Sequence, residues 1–446
     1  PQDSSARSPA NEQNTRGVTR LGWAAGNVAR AKSPYSCTMA AASVLFVISL
    51  FGIIGAINAL QAAGADRHPA LRPWWFPAML TAESIPLRVT IHAALVVLLI
   101  WAGALDYRIG RIGLGLTLGT WVLYGLLQYR AARAKRAMAD ALDQLGVSTS
   151  GFAHVRWTRV LTAYPYRVPT DVERIEDIEY SPGLHLDVYR RRGLAPGLHP
   201  AILQIHGGSW RGGNRRQQGR PLLHRLAQKG WICVAASYPL VPDATFPDPL
   251  IGLKRAVAWM RASGRRYGID PSFVAVTGGS AGGHLAALVA LTGNRPEYQP
   301  GFEADDTSVQ AAIPVYGIYD FLNRNKTRDE WPIIPRAVMK ADKVEAEDRY
   351  REASPLDQIH TDAPPFLVIH GSHDSVVPAR EAEQFVAALR AQSGTPVGYA
   401  EIPGATHAFD VLDSLRTHYM ISGVARFLES TRNQQKAARQ DDIAAD

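Results

Sequence analysis

A serine between paired glycines is the residue of this chain best suited to nucleophilic chemistry. Ser280 lies in the run Gly278-Gly279-Ser280-Ala281-Gly282-Gly283. The run follows an apolar stretch at 273–276 and precedes a helix-like stretch at 284–291. A serine on a sharp strand-to-helix turn adopts strained backbone angles, and small neighbours let the chain close around it. The pattern predicts a nucleophilic serine; the competing interpretation is a glycine-rich turn around a buried serine.

Two later segments carry the acid and the base that such a nucleophile needs. Asp374 follows the apolar run 366–369, and His407 lies in the loop after a short strand at 397–402. A carboxylate in that position orients a histidine, which accepts the serine proton. We therefore expect Ser280, Asp374 and His407 to form a catalytic triad. Their order along the chain is that of α/β-hydrolases.

Each of these assignments has an alternative. Asp374 also precedes the helix-like stretch 379–391, where an aspartate is suited to capping. Asp320 and Asp410 are rival acids, since one follows the preceding strand and the other lies three residues after the histidine. A lone loop histidine is usually solvated. The order of Ser280, Asp374 and His407 along the chain favours the triad over these alternatives.

A second glycine pair predicts the site of oxyanion stabilisation. His206-Gly207-Gly208-Ser209-Trp210 follows the apolar strand 201–205. Acyl transfer needs backbone N–H groups aimed at the carbonyl oxygen as it becomes an oxyanion, and residues without side chains let a substrate approach them. We expect the N–H groups of Gly207, Gly208 and Ala281 to serve, and His206 to be structural.

The combined motifs resemble those of one enzyme family. Residues of about 165–430 are similar to α/β-hydrolase carboxylesterases of the hormone-sensitive-lipase and feruloyl-esterase-like groups. The matching segments are HGGSW at 206–210, GGSAGG at 278–283, HGSHDSVVP at 370–378 and GATHAF at 404–409. The resemblance implies an α/β-hydrolase fold, with a mostly parallel sheet and helices on both faces. It also implies ester hydrolysis without a metal or cofactor.

One departure from the family's motifs leaves open which type of bond the enzyme hydrolyses. Many hormone-sensitive-lipase relatives carry a third glycine where this chain has Ser209. HGG-x-W also resembles kynurenine formamidase, so an amidase, formamidase or peptidase using the same triad is the first alternative. A non-catalytic hydrolase-fold membrane receptor is the second.

Composition separates the first third of the chain from the rest. The net charge is +8, and most of the surplus lies in the first 150 residues, beside apolar runs. We interpret it as membrane-proximal charge and expect no nucleic-acid partner. Two cysteines among 446 residues exclude a disulfide framework of the kind that holds small secreted domains together.

Three apolar runs predict membrane spans. They cover 38–60, 89–105 and 112–127, after a polar, basic leader at 1–36 that we expect to be disordered. The first run exceeds a signal-peptide core, which disfavours that alternative. A soluble helical cap domain is the other alternative. We therefore expect a multi-pass protein of the cell membrane; basic clusters flank both ends of the region, so the side of the catalytic domain stays open.

These patterns divide the chain into five parts. We expect the leader at 1–36, a transmembrane region at 37–130, a juxtamembrane helix and linker at 131–164, a catalytic domain at 165–431 and a polar tail at 432–446. The expected function is a membrane-anchored serine esterase or lipase that acts on ester or lipid substrates in contact with membrane lipids. No acid, base or nucleophile constellation occurs at 38–129, so we expect the membrane region to localise substrate only.

Overall fold

An eight-stranded sheet forms the centre of the carboxyl-terminal part of the chain. The computed structural model describes residues 34–61, 74–162 and 167–445. In spatial order the strands are β1 Val172–Ser181, β2 Leu184–Arg191, β4 Ile232–Ala236, β3 His199–Ile205, β5 Ile269–Gly279, β6 Ala311–Val315, β7 Phe366–Gly371 and β8 Val397–Ile402. β2 is antiparallel to both β1 and β4, and all other neighbouring pairs are parallel.

Helices precede the sheet and cover both of its faces. They are α1 Pro34–Gln61, α2 Trp75–Glu83, α3 Ile85–Trp101, α4 Arg108–Ala132, α5 Ala134–Gln144, α6 Trp157–Thr162, α7 Arg220–Gln228, α8 Asp248–Ala262, α9 Ala281–Leu291, α10 Glu347–Glu352, α11 Arg380–Gln392 and α12 Leu415–Ala445. α8, α9 and α11 contribute to the core on one face, and α5, α7 and α12 to the core on the other. Strands buried on both faces consist of continuous apolar runs, as in β4 and β6. The expected α/β-hydrolase architecture, preceded by helices, is confirmed.

The position of α5 differs from the expectation of a juxtamembrane helix and linker at 131–164. Met138, Leu142 and Leu145 belong to the same core as β3 and β8. A side chain at Gly398 in β8 would come within 2.7 Å of Leu145, so this strand position has to be glycine for α5 to dock. The helix is apolar on one side and carries charges of both signs on the other, and its composition alone does not indicate which surface the apolar side covers.

α5 also protects the outer edge of the sheet. β8 is the last strand, and the Tyr399 N–H at its open edge donates to Oε1 of Gln144 over 2.9 Å. Arg390 of α11 donates to the same oxygen. Covering an edge strand removes unpaired donors that otherwise invite pairing with another chain. The core built around the sheet therefore includes α5, which lies before residue 165.

The predicted polar tail is helical as far as the structure describes it. α12 continues without a break to Ala445, and Gln435 within the predicted tail donates to the carbonyl of Ser272 over 3.2 Å. A run with few large apolar residues predicts a tail, but helix propensity and this docking contact extend the helix. Residues 1–33 of the basic leader lie outside the part of the chain that the structure describes.

α1, α3 and α4 pack together before the sheet in the chain. With α2, these helices form what we call the N-terminal bundle. α1 and α4 are parallel. The hydroxyl groups of Ser49 and Thr117 lie 2.7 Å apart, and residues later in α1 pack against residues later in α4. One bundle cluster joins Ala56 to Tyr124, and the other contains Ala42. α3 runs in the opposite direction, since its first residue, Ile85, lies in the Ala56 cluster and its later residues lie in the Ala42 cluster.

The apolar runs of the sequence correspond to these helices with shifted bounds. Cys37–Gln61 and Arg108–Gln144 are long and apolar enough to cross a membrane; α2 and α3, bent by 79° at Ser84, form a third candidate if taken together. Pro86 at the start of α3 explains why this helix begins earlier than the predicted run at 89.

Candidate active site

The candidate nucleophile lies on a sharp turn between β5 and α9. Ser280 has φ 59° and ψ −123°, a strained combination for a residue with a side chain. Its N–H donates to the carbonyl of Val315 in β6 over 3.0 Å, which holds the turn. A Cβ at Gly282 would collide with the carbonyl of Ile205, so glycine is required where the helix starts beside β3. The strand–turn–helix context predicted from the sequence is present.

His407 lies within hydrogen-bond distance of this serine. Its Nε2 atom is 3.0 Å from Ser280 Oγ, in the loop after β8. The ring is 5% exposed and is enclosed by two aromatic side chains, Tyr316 at 4.8 Å and Trp75 at 5.7 Å between ring centroids. The imidazole therefore reaches the hydroxyl while most of its surface is shielded from water.

Asp374 holds the other side of the imidazole. Its Oδ2 atom is 2.7 Å from His407 Nδ1, and its Oδ1 atom accepts the N–H groups of Val376 and Val377 at 2.9 and 2.8 Å. Burial alone would raise the pKa of this carboxyl. The charge and hydrogen bond of His407, with the His370 ring 3.6 Å from the carboxylate, outweigh burial and hold the pKa of Asp374 below its usual range. The carboxylate is thus charged and directed at Nδ1.

The two rival acids have other partners. Asp410 accepts a hydrogen bond from the Tyr316 hydroxyl, and burial raises its pKa. Asp320 forms an ion pair with Arg324 at 3.1 Å. Neither contact involves the histidine ring nitrogens, so the geometry brings Asp374, and not these two, to His407.

The glycine pair after β3 lies beside the serine, with one difference from the expectation. A Cβ at Gly207 would lie 3.1 Å from the Ser280 Cβ, so the two residues adjoin. The Gly207 N–H, however, donates to Oε1 of Gln218 over 2.7 Å. Gly208 has φ 127°, and Ala281 is the first residue of α9, where N–H groups lack an intrahelical acceptor. Gln218 is a neighbour that no motif in the sequence indicates.

The aromatic and histidine residues of these motifs are structural in their contacts. His206 stacks on Tyr238 at 4.4 Å and its Nδ1 lies 2.9 Å from its neighbour's carbonyl. Trp210 donates through Nε1 to Nδ1 of His284 over 3.1 Å, and the other nitrogen of His284 contacts the Ala353 carbonyl at 2.7 Å. These bonds require the neutral imidazole, and burial accordingly lowers the pKa of His284 to about 4.

Two cavities meet at the serine end of the site. A small one of about 160 Å³ is lined mainly by apolar side chains and contains the nucleophile; its lining is Ser209, Trp210, Ser280, Ala281, Ile318, Trp331, Ile333 and Val376. A larger one of about 700 Å³ has mostly polar walls and includes Trp75, Lys326, Asp374, Ser375, Arg380 and Glu383. Trp331 and Val376 line both cavities, so they adjoin.

Part of this lining comes from the segment 321–350, which is charged and interrupted by prolines. Trp331 and Ile333 of that segment reach the cavity beside the serine. Among the residues that the structure describes, no group of three or more His, Cys, Asp or Glu side chains is arranged to hold a metal ion.

Comparison with known proteins relates the domain to esterases. The BD-FAE family model matches residues 186–389. The probable carboxylic ester hydrolase LipM of Mycobacterium tuberculosis is 47% identical over 262 residues, covering 58% of this chain and 61% of LipM. Esterase LipQ of the same organism is 42% identical over 273 residues, covering 60% of this chain and 65% of LipQ. The chain therefore spans somewhat less than two thirds of each relative's length.

Solved structures share the fold. A truncated carbohydrate esterase from gut microbiota superimposes with a TM-score of 0.51 at 22% identity, covering 58% of this chain and 96% of that one. Est2 of Thermogutta terrifontis with bound butyrate gives a TM-score of 0.50 at 23% identity, covering 59% of this chain and 97% of that one. At these identities the similarity concerns the fold alone.

Proposed function

We propose that the chain is a membrane-anchored serine esterase whose α/β-hydrolase domain is of the hormone-sensitive-lipase and feruloyl-esterase-like type. The observation that carries the proposal is one imidazole placed between two partners: His407 lies 3.0 Å from Ser280 Oγ and 2.7 Å from Asp374 Oδ2. An imidazole held in this way takes a proton from the serine and remains oriented as it becomes charged.

The proposed reaction proceeds through an acyl-enzyme. Ser280 Oγ bonds to the ester carbonyl carbon as its proton passes to His407 Nε2, and the carbonyl electron pair moves onto the oxygen. Collapse of this tetrahedral species expels the alcohol, which takes the proton from Nε2. Water then gives a proton to the same nitrogen and attacks the acyl carbon. The second collapse returns the proton to Ser280 and releases the carboxylic acid.

The oxyanion donors follow from the same geometry. Gly208 follows Gly207, which adjoins the serine in the loop after β3, and Ala281 begins α9, where the helix dipole favours negative charge. Gly207 serves as a third donor only when its N–H leaves Gln218, with which it is bonded in the structure. We therefore assign the principal role to Gly208 and Ala281.

The two cavities support a short acyl chain joined to a larger polar alcohol. About 160 Å³ beside the serine is well below the 300–1,000 Å³ of typical drug-sized pockets, and its lining is apolar. The adjoining cavity of about 700 Å³ has charged walls, including Lys326, Arg380 and Glu383. An acyl group of a few carbons fits the first, and a hydroxyl-rich or charged alcohol fits the second.

The bundle supports a three-crossing membrane anchor. Since α1 and α4 are parallel, the chain has to return between them, and α3 does so over about 25 Å, close to the roughly 30 Å of a hydrocarbon core. Large apolar side chains remain exposed on these helices, among them Phe51, Val97 and Val122. In this arrangement the first residue of α1 and the hydrolase domain lie on opposite faces of the membrane.

The decisive test is Ser280→Ala in the full chain. We expect turnover of p-nitrophenyl butyrate to fall by about 10⁴-fold or more and labelling by a fluorophosphonate to disappear, with an unchanged melting temperature. Ser272→Ala, at the far end of β5, is the matched control and should retain activity. Near wild-type turnover by Ser280→Ala refutes the mechanism. A matched anilide, if hydrolysed faster than the ester, assigns the site to amide hydrolysis.

A further inference from the structure

Helix α2 of the N-terminal bundle lies directly against the candidate triad. The Trp75 ring meets the His407 ring at 86° with 5.7 Å between centroids. Together with Tyr316 this leaves His407 only 5% exposed. A ring packed in this way limits the directions in which the imidazole can turn, because interiors are close-packed and side chains remain in single rotamers.

A buried ion pair fixes α2 in this place. Glu83, the last residue of α2, contacts Arg416 of α12 at 2.7 Å, and both side chains are at most 1% exposed. Arg416 Nε also donates over 3.0 Å to the carbonyl of Pro403, four residues before His407. The guanidinium therefore links α2 to the loop that carries the histidine. A charge pair this deeply buried requires both partners, which specifies the docked position.

Trp75 also forms part of a wall of the site. It lines the cavity of about 700 Å³ together with Asp374 and Ser375, but it does not line the small cavity beside the serine. The indole thus faces the side on which we place the alcohol. Its neighbours Trp74 and Phe76 are 57% and 49% exposed, so only one of three successive aromatic residues turns toward the site.

We propose that Trp75 is a positioning residue for His407 and a wall of the alcohol side, so that the N-terminal bundle completes the active site instead of only anchoring it. The proposal rests on the proposed serine-hydrolase function. It replaces the expectation that the membrane region only localises substrate. The alternative is that Trp75 is an ordinary packing residue whose loss affects stability alone.

The test compares Trp75→Ala, Trp75→Phe and Trp74→Ala in the full chain, reconstituted in one detergent. With ethyl acetate, whose small alcohol does not reach the indole, we expect Trp75→Ala to lower kcat by about 10- to 100-fold with little change in KM, because misplacing a catalytic group by about 1 Å costs up to 10²-fold. The rate of fluorophosphonate labelling should fall by a similar factor. Trp75→Phe should recover most of the activity, and Trp74→Ala should match the wild type.

Stability and chemistry are separated by the readouts. A melting temperature measured for each variant shows whether it is folded; if Trp75→Ala is not, Trp75→Leu, which fills the space without a planar ring, takes its place with the same expected loss of kcat. A folded variant with wild-type kcat overturns the role of Trp75. If Ser280→Ala is inactive in the same preparation, the proposed function stands; if Ser280→Ala is active, that function fails first.

Discussion

Helix α5 provides the sharpest test of how the chain is divided. Met138 and Leu142 are 0% exposed and contact the core of the catalytic domain, whereas Lys135 and Asp143 of the same helix face solvent. Cutting a buried Met or Leu to Ala costs about 2–5 kcal/mol, because the removed atoms leave a cavity. Met138→Ala with Leu142→Ala should therefore lose about 4–10 kcal/mol, against a typical total stability of about 5–15 kcal/mol.

The measurement is unfolding of the full chain by denaturant, followed through the fluorescence of the domain and through ester hydrolysis. We expect the double variant to unfold at much lower denaturant concentration and to lose hydrolysis in the same transition. The control, Lys135→Ala with Asp143→Ala, should shift the free energy of unfolding by less than about 0.5 kcal/mol per site. If both pairs behave alike, α5 is a dispensable linker and our division of the chain is wrong.

Truncation gives the same comparison in another form. A chain that begins at 131 keeps α5, and one that begins at 148 loses it; both lack α2, so they differ only in the segment under test. We expect the shorter chain to aggregate, because β8 then exposes its edge and an apolar surface together. Recovery of a soluble, folded enzyme from 148 onward would refute this reasoning.

Three shorter predictions concern the site. Asp374→Asn should lower kcat by about 10⁴-fold, as for other triads that lose the acid. Asp410→Asn should act mainly through the Tyr316 contact and lower kcat far less, so kcat measured for both variants ranks the two acids. Ile333→Ala enlarges the small cavity and should raise kcat/KM for octanoate relative to butyrate esters. Burial lowers the pKa of His284 to about 4, so the unfolded chain, with a pKa near 6.5, binds more protons between these values; the melting temperature should fall as pH drops from about 6.5 toward 4, and His284→Asn should flatten that slope.

The parts of this site that the sequence predicts are local ones. A strand, a glycine turn and a helix are consecutive in the chain, so the GGSAGG motif is sufficient to predict a strand-to-helix turn. Ser280 lies on such a strained turn between β5 and α9. Asp374 and His407 follow strands whose carboxyl ends meet at one edge of the sheet, which brings them together. Parallel-sheet topology therefore translates chain order into proximity.

Contacts between distant segments carry no such signal. Glu83 and Arg416 are separated by more than 300 residues, and a glutamate at the end of an apolar run is typical of a solvated helix terminus. Gln218, the acceptor of the Gly207 N–H, follows a stretch of arginines and polar residues that predicts only a surface loop. Sequence periodicity indicates which side of a helix is apolar but not what that side covers, and for this reason the sequence does not predict that α2 and α5 dock on the hydrolase domain.

Under the proposed function, the two contacts of α2 also explain why the N-terminal bundle and the hydrolase domain belong to one chain. A tether that only raises the local concentration of substrate works with any flexible linker, and its effect depends on linker length. Here α4 continues into α5 after Arg133, α5 is part of the domain core, and α2 returns to the catalytic loop through Arg416. A chain with these rigid connections holds its cavity at a fixed height and orientation relative to the bundle. Inserting a flexible segment after Arg133 should therefore reduce hydrolysis of water-soluble esters as well as of vesicle-borne ones, whereas a simple tether predicts no loss on the soluble substrates.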